Sequence, residues 1–388
     1  MNDTKARENK NVFRFAPLVL FVVFIFTFCI LFIVMPKSDY SSTEKRYLEQ
    51  FPELSAETLF SGEFSENFET YLADQFFGRN FWKGLNSYYN LAIGHNGADG
   101  VYSGNDGYLI NIPVEEKDSR VQNNINTVVK FSQSIDVTVT VEIVPGTGYI
   151  MNDKLPLNHF NYNDEIYFNQ IINTCNDNNL EFIDLRESFK QSAIDGIQLY
   201  YKTDHHWTTA GAYVGYEQLC NKWGLTPTSK EKFNIETYDN FYGTTYSTSG
   251  FWFTNPDTIQ VWNNPENTEK NITVDIIEGD AQETYHSMYF LNHLEEDDKY
   301  PIFLDGNHPL EYITNSNVKS GKLLIIKDSF SHCFAPFIAD NFNSVTLVDM
   351  RYYKGSVSEI VKEENFDKVL VLYGIDNFAT DTDLAWLK

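Results

Sequence analysis

The chain has 388 residues, 42% of them hydrophobic and 16% aromatic, enough to bury a large core in one or two domains. Its formal charge of −25 argues against a phosphate-backbone partner, so no nucleic acid is expected. Four cysteines, one in an apolar N-terminal run, are too few for a disulfide framework, and no tight Cys/His cluster marks structural zinc. Neither a metal nor a cofactor is expected, and a Cys175–Cys220 bridge stays open.

Residues 1–14 carry Lys5, Arg7, Lys10 and Arg14, and residues 15–35 (FAPLVLFVVFIFTFCILFIVM) carry no charge. Those 21 residues are about what a helix needs to cross the hydrocarbon core. The flanking positive charge predicts a cytoplasmic tail over 1–14 and an extracellular remainder. The run ends Val34-Met35-Pro36-Lys37, without a small-residue cleavage site, so an uncleaved single-pass anchor is expected rather than a signal peptide. Beyond residue 35 there are 25 basic and 52 acidic residues, a net charge of about −27.

Residues 36–46 read as a polar juxtamembrane spacer and 47–388 as the extracytoplasmic domain. Phe64, Phe68, Tyr71, Leu72, Phe76 and Phe77 recur at roughly helical spacing, and a second helix is predicted over 79–93. DGVYSGNDGYLI predicts a tight hairpin turning at Gly104, Asn105 and Gly107. Helices are then predicted over 114–133, 165–178, 209–223, 332–341 and 356–363. Strands are predicted over 137–145, 180–185, 322–327, 344–350 and 368–374. Short buried strands separated by helices predict an α/β fold, a mostly parallel sheet flanked by helices. Residues 225–320, rich in Asn, Thr, Tyr and Trp, fit the alternation less well; short antiparallel strands and loops are expected there, as an insertion or irregular region over the sheet.

Two segments carry chemistry. In Tyr201-Lys202-Thr203-Asp204-His205-His206-Trp207-Thr208, an Asp-x-His pair suggests a general base oriented by a carboxylate. If the segment is extended, Asp204 and His206 share a face and His205 looks away. Adjacent histidines that diverge, with no supporting acidic cluster, argue against a metal-dependent phosphoesterase. Downstream, Leu323-Leu324-Ile325-Ile326-Lys327-Asp328-Ser329 places a serine at the carboxyl end of a strand, where ligands bind in open α/β sheets. Alone, Ser329 could equally cap the following helix. Trp207 reads as packing that fixes the histidine, or as a platform for substrate. Lys202 and Tyr201 could line a sugar site or be ordinary solvated and core residues. Gly306-Asn307 could donate to an oxyanion or simply make a turn. Asp328 reads as structural, Cys333 as a small core residue, and His286, His308 and His332 as ordinary.

In order, EKRYLEQFPELS, SGEFSENFETYLADQFFGR, NDGYLI, YYKTDHHWTTAGAY and LLIIKDSFSHCFAPF resemble the segments of the DHHW family, named for the run at 204–207. That family is similar to the SGNH-hydrolase-like O-acetyltransferases of the AlgX and AlgJ type. The resemblance spans nearly the whole domain. It implies an SGNH-hydrolase-like sheet, with Ser329 as nucleophile, His206 as general base and Asp204 as its orienting acid. His205 stands where relatives often carry threonine or another residue, which leaves open which histidine serves. The implied activity is O-acetylation of an exported or cell-envelope polysaccharide, with a multispanning MBOAT-type acyltransferase delivering acetyl groups. A carbohydrate esterase using the same triad, and a non-catalytic glycan-binding or scaffold domain, are the alternatives.

Overall fold

A computed structural model describes residues 2–41 and 46–388, with side chains from Phe15 onward; residues 42–45 of the expected spacer and the basic side chains of the expected tail lie outside the described residues. The chain forms two compact units, 1–88 and 89–388.

The first unit opens with helix Asn2–Val34. Its segment Phe15–Val34, 20 residues of mean hydropathy 3.1 with none of it buried, is long and apolar enough to cross a membrane. β1 (Tyr40–Ser41) and β2 (Arg46–Tyr47) then pair antiparallel. Ser55 begins helix Ala56–Ser61 with a reciprocal cap to Thr58, and helix Glu63–Asp74 follows. The buried Asp74 carboxylate is held by Arg46 at 2.5 Å and by the Glu49 N–H at 2.9 Å. Phe51 packs edge-on against Phe64, Phe68 and Tyr71, which explains the aromatic spacing read from the sequence.

In the second unit β3 (Gly97–Ala98), β4 (Val101–Ser103) and β5 (Leu109–Asn111) form a small antiparallel sheet. The turn between β4 and β5 runs through Asn105–Gly107, with Asp106 and Gly107 at φ 56° and 82°. Next come β6 (Val139–Val144) and β7 (Glu181–Asp184), then a separate two-stranded ribbon of β8 (Asn234–Phe241) and β9 (Asp257–Asn263). The remaining strands are β10 (Ile272–Glu278), β11 (Ala281–Tyr285), β12 (Leu310–Asn315), β13 (Lys322–Lys327), β14 (Ser344–Asp349) and β15 (Lys368–Gly374). The central eight-stranded sheet runs β11-β10-β12-β14-β13-β15-β6-β7. From β14 to β7 every pairing is parallel, while β12, β10 and β11 extend it antiparallel.

Residues 225–320 thus divide between the β8–β9 ribbon, whose Phe241, Ile259 and Val261 share a core with Leu323 and Ile325 of β13, and an antiparallel edge of the main sheet. The reason is legible in β10, where Ile272, Val274 and Ile276 are buried and alternate with less buried residues, the pattern of a strand in an antiparallel edge. The parallel strands behave differently. Leu323 and Ile325 enter one core, with Trp207, Tyr216 and Phe337, while Leu324 and Ile326 enter the other, with Ile125, Phe168 and Val371. Burial on both faces is why KLLIIK is an unbroken apolar run. Helices Arg120–Ser134, Asp164–Asp177, Thr209–Trp223 and Val357–Glu364 cover the sheet. The helix predicted over 332–341 is instead a 3₁₀ turn, Ser329–Ser331, followed by the single turn Ala335–Ile338.

Candidate active site

Asp204–His206 is a series of bends, not a strand, and Trp207 makes a single antiparallel bridge to Tyr200. Asp204 Oδ1 accepts from the His206 backbone N–H at 2.9 Å and lies 2.5 Å from His206 Nδ1. A carboxylate bonding the amide two residues on is a turn that Asp makes locally. This turn, rather than strand alternation, brings the pair together. His205 accordingly does not look away: its ring centroid lies 3.8 Å from that of His206, and its Nδ1 lies 2.5 Å from Thr244 Oγ1.

The other oxygen of Asp204 is held from residues 225–320. Thr244 donates to Oδ2 from its backbone N–H at 2.7 Å and from Oγ1 at 3.1 Å. Only glycine fits just before it, because a Cβ on Gly243 would sit 2.1–2.6 Å from the Asp204 side chain. Asp257, opening β9, accepts from the Thr203 N–H and hydroxyl, both at 2.7 Å. The whole run is pinned from two sides.

Ser329 follows β13. The capping role belongs to its neighbour: Asp328 Oδ1 accepts from the Phe330 N–H at 2.9 Å. Asp328 Oδ2 accepts from Gly374 N and Asn377 Nδ2, each at 2.8 Å. Burial raises the Asp328 carboxyl above its usual range, and these three donors oppose that. With the cap supplied by Asp328, Ser329 Oγ is free to lie 2.7 Å from His206 Nε2. Because His206 Nδ1 donates to Asp204, Nε2 is the nitrogen left to accept the Ser329 O–H. Asp204, His206 and Ser329 are all buried, at 1%, 5% and 8% exposure.

Two further side chains fix this relay. Trp207 is fully buried and donates from Nε1 to the Phe330 carbonyl at 2.9 Å, tying the histidine segment to the serine segment and excluding a platform role. The Tyr300 ring lies flat on His206, centroids 4.0 Å apart and 8° from parallel, and its hydroxyl donates to the Ser329 carbonyl at 3.3 Å. Thr244, Asp257 and Tyr300 went unread in the sequence. Each acts through a contact across a long separation, and no local motif marks it.

Other sequence candidates face elsewhere. Gly306 and Asn307 belong to a tight turn in which Leu304, Asp305 and Gly306 have φ of 56°, 59° and 94°. Asn307 accepts from Arg351, itself paired with Asp349 at 2.6 Å, so its described partner is that ion pair rather than Ser329. Lys202 donates to the Asp106 carbonyl at 3.1 Å and serves the β4–β5 turn. Behind the serine, fully buried Lys327 meets His332 Nε2 at 2.7 Å and Glu311 at 3.3 Å. Burial and the Lys327 charge hold the His332 ring well below its usual range, which leaves it neutral and able to accept that bond. Burial pushes the Cys333 thiol up to about 12, far from a thiolate. The four cysteines are unpaired.

Asp204, His205 and His206 present ligand-type atoms within 4.8 Å of one another. The atoms of His206 and Asp204 that would bind an ion are already joined in the Asp–His–Ser relay, so the donor set is better fitted to proton transfer than to a metal. Hollows of about 390 and 500 Å³ elsewhere contain none of the three residues.

Among solved structures, a DHHW family protein from Eubacterium siraeum DSM 15702 is similar at 19% identity and TM-score 0.60, over 74% of this chain and 95% of that one. Bacillus cereus PatB1, solved with a sulfonyl adduct, is similar at 21% identity and TM-score 0.59, over 73% and 97%. The O-acetyltransferase domain of Pseudomonas putida AlgJ aligns at 14% identity and TM-score 0.46, over 73% and 94%. No curated protein sequence matches the chain significantly. The fold is an SGNH-like α/β fold, and residues 104–245, which hold Asp204 and His206 but end before Ser329, match the family model described as the SGNH hydrolase-like domain of the acetyltransferase AlgX.

Proposed function

We propose that the protein is a membrane-anchored, extracytoplasmic O-acetyltransferase that modifies hydroxyls of an exported or cell-envelope polysaccharide. The observation that carries this reading is the continuous relay Asp204–His206–Ser329, with links of 2.5 and 2.7 Å. In the first half-reaction His206 Nε2 takes the Ser329 proton as Oγ bonds to the acetyl carbonyl carbon. Asp204 stabilises the resulting imidazolium. The Ser329 N–H, which has no backbone acceptor among the described residues, is the donor this reading assigns to the developing oxyanion. Collapse breaks the donor C–O bond, and the imidazolium returns its proton to the leaving oxygen. An acyl-serine ester remains. In the second half-reaction His206 deprotonates a sugar hydroxyl, that oxygen attacks the ester, and Ser329 regains its proton.

The apolar N-terminal helix supports anchoring, and the basic residues before it favour a cytoplasmic N-terminus with the catalytic domain outside. A single helix cannot carry an acetyl donor across the bilayer. The reading therefore includes a multispanning MBOAT-type partner, near which the anchor raises the effective concentration of Ser329.

The full chain in detergent, given 4-nitrophenyl acetate and a neutral oligosaccharide, should yield acetylated sugar. Release of free acetate alone under every acceptor condition would overturn transfer in favour of an esterase. Polymer acetylation that is unchanged in a folded Ser329→Ala variant would remove the serine mechanism and leave a binding or scaffold role.

A further inference from the structure

A cleft of about 170 Å³ opens beside His205 and Phe330 at the carboxyl ends of β6 and β15. Val144 and Pro145 give it an apolar wall, and Asn111, Thr147 and Asp376 a polar one. Its volume is well under the ~300–1,000 Å³ of drug-sized sites, leaving room for one ring rather than a long chain.

Asp376 is the anomalous group in this cleft. It is partly exposed to the cleft, and its carboxyl has no hydrogen-bond or ion-pair partner among the described residues. Donors are near. Tyr162, Tyr167 and Tyr200 are all close enough to feel its charge. Yet the Tyr162 hydroxyl donates to the Asn111 carbonyl at 2.6 Å, Tyr200 to the Pro145 carbonyl at 2.6 Å and Tyr167 to the Val114 carbonyl at 3.1 Å. The neighbouring Asp164, 2% exposed, instead receives the Gly146 N–H at 2.6 Å. A polar group left without a partner in such surroundings is costly, and here it lines a cavity shared with His205 and Phe330, the chain neighbours of His206 and Ser329. Burial, then the Asp164 charge, push the Asp376 carboxyl up to about 7. Burial pushes Asp164 up to about 6. Near neutrality Asp376 therefore carries a proton part of the time and can both donate to and accept from a hydroxyl.

We propose that this cleft is the acceptor subsite and that Asp376 sets its specificity, binding a neutral hydroxyl-bearing sugar ring and turning away a uronate. The inference rests on the transferase reading of Ser329. A uronate would bring its carboxylate against Asp376, whose charge Asp164 already opposes, whereas a neutral ring offers hydroxyls to Asp376 and apolar faces to Val144, Pro145 and Phe330.

The test uses the full chain in detergent with Ser329→Ala, titrated calorimetrically with neutral trisaccharides of glucose, galactose and mannose and with trigalacturonate. At least one neutral sugar should bind about tenfold tighter than the uronate; Asp376→Leu should weaken that neutral sugar about tenfold, and Asp376→Asn should restore most of its affinity while losing the discrimination against the uronate. Should Asp376→Leu fail to fold, Asp376→Ala carries the same expectation. Equal or tighter binding of trigalacturonate, undiminished binding by a folded Asp376→Leu or Asp376→Ala variant, or no binding of any neutral sugar overturns the proposal. Failure of the transferase reading registers separately, as absence of acetyl transfer by the unmodified chain whatever the sugars do.

Discussion

Replacing Asp204 with asparagine changes one atom and tests the relay at its base. The carboxylate accepts hydrogen bonds from His206 N and Nδ1 on Oδ1 and from Thr244 N and Oγ1 on Oδ2. Asparagine keeps one acceptor oxygen, so its NH₂ must face one of these donor pairs. If it faces His206, the imidazole is forced to carry its proton on Nε2, presenting a donor to Ser329 Oγ at 2.7 Å and abolishing the base. Either orientation strands one backbone N–H, of His206 or of Thr244, at a comparable cost of about 1–3 kcal/mol, so the wrong tautomer is accessible. Turnover should fall by up to about 10⁴-fold, as when the corresponding change in a serine-protease triad imposes the wrong tautomer. That factor is about 5.5 kcal/mol of barrier. Thr244→Val is the graded control, because it deletes the Oγ1 bonds to Asp204 and His205 but keeps the backbone N–H. It should cost about 1–2 kcal/mol, or roughly 5–30-fold. Release of 4-nitrophenolate from 4-nitrophenyl acetate reads both variants, with a thermal melt to establish folding. Folded Asp204→Asn retaining more than about a tenth of wild-type turnover would refute the reasoning.

Tyr300→Leu removes the ring stacked on His206 and should lower turnover about 2–12-fold, while Tyr300→Phe keeps the stack and most of the rate; equal loss in both would assign the effect to the hydroxyl. Stability should fall as pH rises from about 4 towards 7, because Asp376 and Asp164 have folded pKa values raised above the unfolded value near 3.8 and so bind more protons folded than unfolded across that window. Asp376→Asn should flatten this slope in thermal melts, and an unchanged slope would contradict it. Turnover should persist in excess chelator, since the Asp204–His206 atoms that would ligate a metal are joined in the proton relay; loss on chelation with recovery on adding zinc would favour the metal reading.

Much of this site could be read from sequence because two of its parts are local. Asp204 and His206 meet through a turn two residues long, and Ser329 sits where an apolar strand stops. The geometry behind the first pair was nevertheless misread, since a turn and a strand both bring residues two apart together. That error hid the closeness of His205 to His206. The parallel strands were clear from unbroken apolar runs, whereas β10–β12 were not placed, because alternating short strands do not reveal which sheet they join. Thr244, Asp257 and Tyr300 lie 40, 53 and 96 residues from Asp204 and reach the site only through tertiary packing. The Gly306-Asn307 turn was recognisable as a turn, but its side-chain partner, Arg351, depends on the end of β14.

Peptide mass spectrometry after brief exposure of the full chain to 4-nitrophenyl acetate bears most directly on the account. An acetyl group should appear on Ser329, be lost from the Ser329→Ala variant, form far more slowly in His206→Ala, and transfer away when a sugar acceptor is added. Acetyl transfer by a chain that never carries acetyl on Ser329 would contradict it.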